Sequence, residues 1–85
     1  MKSERERREI KLKKRFVKRI ENLILDIEFD ISDGVSPPLG NLGHLYTLIG
    51  LSREFNETAD YCRIDSDKYM KTADRLNDRL EYALC

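Results

Sequence analysis

Apart from one calcium-loop-like triplet, three groups of residues in this chain could carry chemistry. His44 is the only histidine, and Cys62 and Cys85 are the only thiols, so an imidazole-activated nucleophile would have to combine His44 with one of them. Neither cysteine stands in a nucleophile motif, and the two match no metal spacing or disulfide framework. Leu48 and Leu51 follow His44 at helical spacing, so His44 reads as a helix residue flanking an apolar core. Asp65-Ser66-Asp67 looks like the opening of a calcium loop, in which alternating carboxylates reach one cation. The third acidic ligand and the glycine at the sixth position are missing, and Leu76 stands where the closing glutamate belongs. A helix start accounts for the triplet better, because acids in a first turn complement the helix dipole.

Asp26, Glu28, Asp30 and Asp33 form the second group. Acid–base work needs two carboxylates held across a cleft, and a chain this short has little left to build the walls. These acids read as a solvated face or a patch that binds protein. No phosphate-binding glycine loop, nucleophile elbow or zinc motif is present. The expectation is a protein without catalysis, with no metal, no cofactor and no small-molecule substrate.

The third group is basic, and it is the strongest functional signal. Arg5, Arg8, Lys11, Lys14, Arg15, Lys18 and Arg19 recur at steps of mostly three and four, which spreads positive charge around much of a helix. Residues 1–19 hold ten bases and three acids, while residues 20–85 hold six bases and thirteen acids. A net charge of zero therefore covers a +7 segment and a −7 remainder. Such asymmetry points to charged partners. An acidic protein surface, including another copy of the chain, is the favoured partner. The bets are Arg8, Lys11, Arg15 and Arg19 on one side, with Asp26, Asp30 and Asp33 on the other. RNA or DNA is the alternative, since neutralised phosphates release counterions. Glu4, Glu6 and Glu9 weaken the field, and no aromatic precedes Phe16 to stack on a base. Only Ile10, Leu12, Phe16 and Val17 lend residues 10–17 apolar character, too little to hold a membrane surface.

These groups must be positioned by helices. The 85 residues allow one domain, 38% charged and 40% apolar, with 18 Ile and Leu for a small core. Glycine, proline and cysteine contents exclude collagen-like, mucin-like and disulfide-scaffold classes. Residues 3–31 predict a first helix, with Ser3 and Glu6 forming a capping box. Ile10, Val17, Ile24 and Ile31 recur every seven residues, with Ile20 and Ile27 between them and Phe16 and Leu23 widening the stripe. The basic turns at 1–19 are expected to project beyond the core. Residues 25–31 also alternate like a strand, but no partner strand exists elsewhere.

Residues 32–40 read as a linker, with Gly34 suited to a left-handed cap and Pro37-Pro38 unable to continue a helix. Asn41 would cap a second helix to Phe55, with Leu42, Leu45, Tyr46, Leu48, Ile49 and Leu51 giving it a broad apolar face. Gly43 and Gly50 would permit a close helix contact on one stripe. From Asn56 to Leu84 the chain reads as helical again, with a break at 65–67 and a heptad series Cys62, Tyr69, Leu76 and Ala83. The prediction is an all-α domain, a long N-terminal helix packed antiparallel on one or two C-terminal helices as a hairpin or three-helix bundle, completed by homo-oligomerisation. No apolar leader or membrane-length run appears, which gives a reducing cytoplasm as the expected setting. In size, charge density and lack of a catalytic motif the chain resembles small accessory proteins of bacteriophages and mobile elements.

Overall fold

The computed structural model describes residues 2–34 and 39–84, the last three by backbone alone. Helix α1 runs Glu4–Asp33, α2 Leu39–Thr58 and α3 Ser66–Leu84. Ser3 Oγ accepts the Glu6 N–H at 3.1 Å, which satisfies one of the orphan donors of the first turn. At the other end Gly34 adopts φ 69°, the left-handed conformation that glycine enters without a Cβ penalty. Its N–H bonds back to Asp30 and Ile31 and closes the helix. Residues 25–31 are therefore helical, and their alternation reflects a helix with apolar residues on several sides. The linker contracts to about five residues because α1 continues through Asp33 and α2 starts at Leu39. Asn41 lies inside the first turn of α2 instead of capping it, and Val35–Pro38 fall outside the described residues.

The three helices form an up-down-up bundle. Phe16 of α1 packs on Phe55 of α2 with ring centroids 6.0 Å apart, the register of an antiparallel pair. Ile20 and Ile27 of α1 are fully buried against Leu42, Leu45, Leu48 and Ile49 of α2 and Tyr69, Ala73, Leu76 and Leu80 of α3. Val17, Ile24 and Ile31 sit at the edge of this core, so the buried line runs through the intervening slots of the heptad pattern. The bundle is a rod of 53 × 19 × 16 Å, because α1 alone is about 45 Å long.

Two expected features of the C-terminal half differ. The break between α2 and α3 spans residues 59–65, so Ala59 and Cys62 belong to a loop and not to a helical seam. Asn56 makes that break. Its side-chain amide donates to the Ile64 carbonyl and accepts the Ile64 N–H, both at 2.7 Å, holding the returning chain against α2. Asp65 then caps α3 by accepting the Lys68 N–H at 3.1 Å, the helix-start role expected for this triplet.

Gly43 and Gly50 form no close contact among the described residues. Both are exposed, and a Cβ built on either meets nothing within 4 Å. The core lies on the other side of α2, so their helix-propensity cost has no compensation among the described residues. Gly43→Ala and Gly50→Ala should each stabilise the fold by about 1 kcal/mol. For a domain of this size that raises Tm by roughly 4–8 °C per substitution, read by thermal circular dichroism. A loss of stability on adding either methyl group would show that another backbone packs there.

The charge order along α1 opposes its own dipole at one end. Its last turn holds Asp30 and Asp33 and no base. Carboxylates at a helix C-terminus are disfavoured by about 0.3–1 kcal/mol each at low salt.

Candidate functional site

The first two turns of α1 are docked, and a carboxylate does the docking. Glu9 is only 7% exposed, although it stands in the basic segment. It occurs seven residues before Phe16 and fourteen before Leu23, so helical geometry aims it inward at the end of the apolar stripe. There it meets the α2–α3 loop. The Asp60 N–H donates to both Glu9 carboxylate oxygens at 3.1 Å, and the Tyr61 N–H donates to Oε2 at 2.7 Å. Arg5 completes the joint, with Nε 3.6 Å from Glu9 Oε1 and Nη2 2.7 Å from Asp60 Oδ2. Arg5 and Glu9 thus tie the start of the basic segment to the α2–α3 loop.

Burial raises the Glu9 carboxyl, but the N–H groups of Asp60, Tyr61 and Cys62 and the Arg5 guanidinium outweigh it and hold it below its ordinary value of 4.5. A depressed carboxyl stabilises the fold in full above its unfolded value, and that contribution disappears as pH falls through the folded value. Glu9→Gln should therefore lower Tm by several degrees at pH 7, with the gap to the parent chain closing below pH 4.5. Thermal melts across acid pH check this; a gap unchanged by acid would remove the charge from the account.

The remaining bases present an open surface. Lys11, Lys14, Arg15, Lys18 and Arg19 are exposed and join no ion pair among the described residues, while Arg8 reaches Glu4 at 3.1 Å. Arg8, Lys11, Leu12 and Arg15 line a shallow, open concavity of about 290 Å³ on α1, and Leu12 itself is 41% exposed. α1 therefore presents an exposed apolar side chain with bases beside it. The candidate acids do not form one cluster. Asp26, Asp30 and Asp33 recur at helical spacing on one side of α1, whereas Glu28 lies about 200° around the axis from Asp26 and Asp30. Near the Asp26 side, Phe29 is 66% and Leu25 62% exposed.

The other candidates for chemistry are dispersed. His44 is exposed on α2 rather than flanking the core, because the buried line follows Leu42, Leu45 and Ile49. It lies about 20 Å along α2 from the loop that carries Cys62. Cys62 is a half-buried free thiol, and Cys85 lies outside the described residues. A second depression of about 400 Å³ lies at the α2–α3 joint, lined by Arg53, Asn56, Ser66 and Asp67 among others. Its polar groups already hold the joint. Ser52 Oγ and Ser66 Oγ share a hydrogen bond of 2.7 Å, Ser52 Oγ donates to Ile49 O at 2.6 Å, and Arg53 meets Asp67 at 3.4 Å.

Two tyrosines bind the helices laterally. The Tyr46 hydroxyl donates to Asp74 Oδ1 at 2.8 Å, and the Tyr69 hydroxyl donates to Glu21 Oε1 at 3.3 Å. Burial, then the Asp74 hydrogen bond and the charges of Asp74, Asp78 and Glu81, pushes the Tyr46 phenol up to about 12. Burial and Glu21 likewise raise Tyr69. These contacts and the Glu9 joint escape a reading by pattern, apart from the one cue that Glu9 occupies an apolar stripe.

No helix among the described residues is long and apolar enough to cross a membrane. No protein-family model, curated protein or solved structure matches the chain.

Proposed function

We propose that this three-helix bundle is a small non-enzymatic binding protein that acts on a larger protein as an inhibitor, adaptor or regulator. The observation that carries the reading is the exposed Leu12 with Arg8, Lys11 and Arg15 beside it in one shallow concavity. Bases beside an apolar side chain match a protein segment that offers an apolar side chain flanked by carboxylates. Charge complementarity steers the encounter, and the buried apolar contact holds it. The flanking Lys14, Lys18 and Arg19 extend the positive field. A reducing cytoplasm suits the half-buried free thiol of Cys62.

RNA or DNA is the second reading, supported by the run of exposed bases from Lys11 to Arg19. Phosphates would use those bases but not Leu12, which is why the protein partner ranks first. The test compares the parent chain with an Arg8→Glu, Lys11→Glu, Arg15→Glu variant. In nuclease-treated host extract, specific protein partners should be captured by the parent and lost by the variant. Fluorescent RNA and DNA oligomers should show no salt-sensitive shift at micromolar protein. Capture that survives the triple reversal removes the interface; a salt-sensitive shift moves the assignment to nucleic acid.

A further inference from the structure

We propose that α1 pairs antiparallel with α1 of a second copy of this chain, Phe29 of each copy seating on Leu12 in the basic concavity of the other. The inference rests on the reading of that concavity as a receptor for an apolar side chain flanked by carboxylates. Phe29 is such a side chain: it is 66% exposed, with Asp26 and Asp33 three residues before and four after it on the same helix.

The geometry comes from a second seam on α1. Arg8, Arg15, Asn22 and Phe29 recur every seven residues, and Leu12, Arg19, Asp26 and Asp33 recur every seven beside them. All eight are exposed, and they lie to one side of the line of buried Glu9, Ile20 and Ile27 and half-buried Phe16 and Leu23. Two such stripes alternating at steps of four and three are the pattern by which two helices interlock. In an antiparallel pair, one stripe of each helix faces the other stripe of its partner.

The register that sets Phe29 opposite Leu12 has a consequence for every other position in the seam. It sets Arg8 opposite Asp33, Arg15 opposite Asp26, and Arg19 opposite Asn22. The two-fold symmetry repeats each pair. Both carboxylates of the seam meet bases, and no like charges face each other. A parallel pair in register would do the reverse, aligning arginine with arginine and aspartate with aspartate. The antiparallel partner also brings a base to Asp33, in the last turn of α1, where the helix supplies none of its own. Arg8 already holds Glu4 at 3.1 Å, and its five donors leave capacity for a second carboxylate. Charge complementarity of this kind selects a second copy over an unrelated apolar helix.

The test is sedimentation velocity on the full chain across the micromolar range. The expected result is a species of twice the 10.0 kDa chain mass, weakening with added salt. Phe29→Asp should give monomer with unchanged helical circular dichroism, because the residue is exposed. Arg15→Asp and Asp26→Arg should each weaken the dimer by about tenfold or more, since each creates two like-charge contacts. The combined variant should recover most of the loss, because the two charges exchange places across the seam. A 10 kDa mass at all concentrations overturns the dimer. So does a dimer indifferent to Phe29→Asp, or a double variant no better than the singles. Capture of a foreign acidic partner, lost on reversing Arg8, Lys11 and Arg15, would persist in the first of these cases, so the two readings fail separately.

Discussion

Leu45→Ala should lower the free energy of unfolding by about 2–5 kcal/mol. Leu45 of α2 is fully buried in the core shared with α1 and α3, so truncation removes transfer energy and leaves a cavity that three helices must share. A domain of 85 residues has a total stability of about 4–13 kcal/mol, so the variant loses a large part of its margin. Leu51→Ala is the control on the same helix. Leu51 is 43% exposed, and its truncation should cost well under half as much. Urea unfolding followed by circular dichroism measures both. Equal losses at the two positions would mean that the buried side of α2 is misassigned.

The second large effect is expected at the α2–α3 joint. Asn56→Ala removes the acceptor of the Ile64 N–H, and Ile64 is buried at 4% exposure. The Ile64 carbonyl still accepts the Ser66 N–H at 2.8 Å, so the Ile64 N–H is orphaned but the Ile64 carbonyl is not. An unmatched buried donor costs about 1–3 kcal/mol, and the loss is concentrated where α3 is anchored. Urea unfolding reads the global cost. Amide exchange reads the local one: the Ile64 amide should exchange much faster relative to amides in the middle of α1. Protection of Ile64 unchanged in the variant would show that the joint is held by Ser52 and Ser66 alone.

The joint also shows why part of the fold is illegible from pattern. Ser3, Glu6 and Gly34 act within one turn of their own positions, and local spacing is enough to recognise them. Ile20 and Ile27 are buried because of a period that the backbone imposes wherever a helix forms. Asn56 could be read as a helix start as easily as the residue that stops α2 shortly beyond it, because its choice depends on Ile64 being folded back against it. The same limit misplaced the role of Gly43 and Gly50. Their spacing is correct for a close contact, but the core passes on the opposite side of α2.

For the candidate site, the list of bases was legible and their division was not. Seven bases on a helix look equivalent in one dimension. In the bundle, Arg5 is consumed by Glu9 and Asp60, while Arg8, Lys11 and Arg15 line an open concavity with Leu12. Glu9 looked like one of three acids diluting a positive field, yet it binds a loop 51 residues away.

By itself, the sequence determined the all-α class, the cap residues of α1, the heptad stripes and the separation of +7 from −7 along the chain. Each of these depends on residues within about two helical turns, or on simple charge counting. Only the tertiary structure decided which face of α2 is inside, where α2 stops, and which bases remain open to a partner. Those outcomes depend on groups distant in sequence competing for the same contacts, and a carboxylate such as Glu9 shows its role only when the N–H groups it must satisfy arrive beside it.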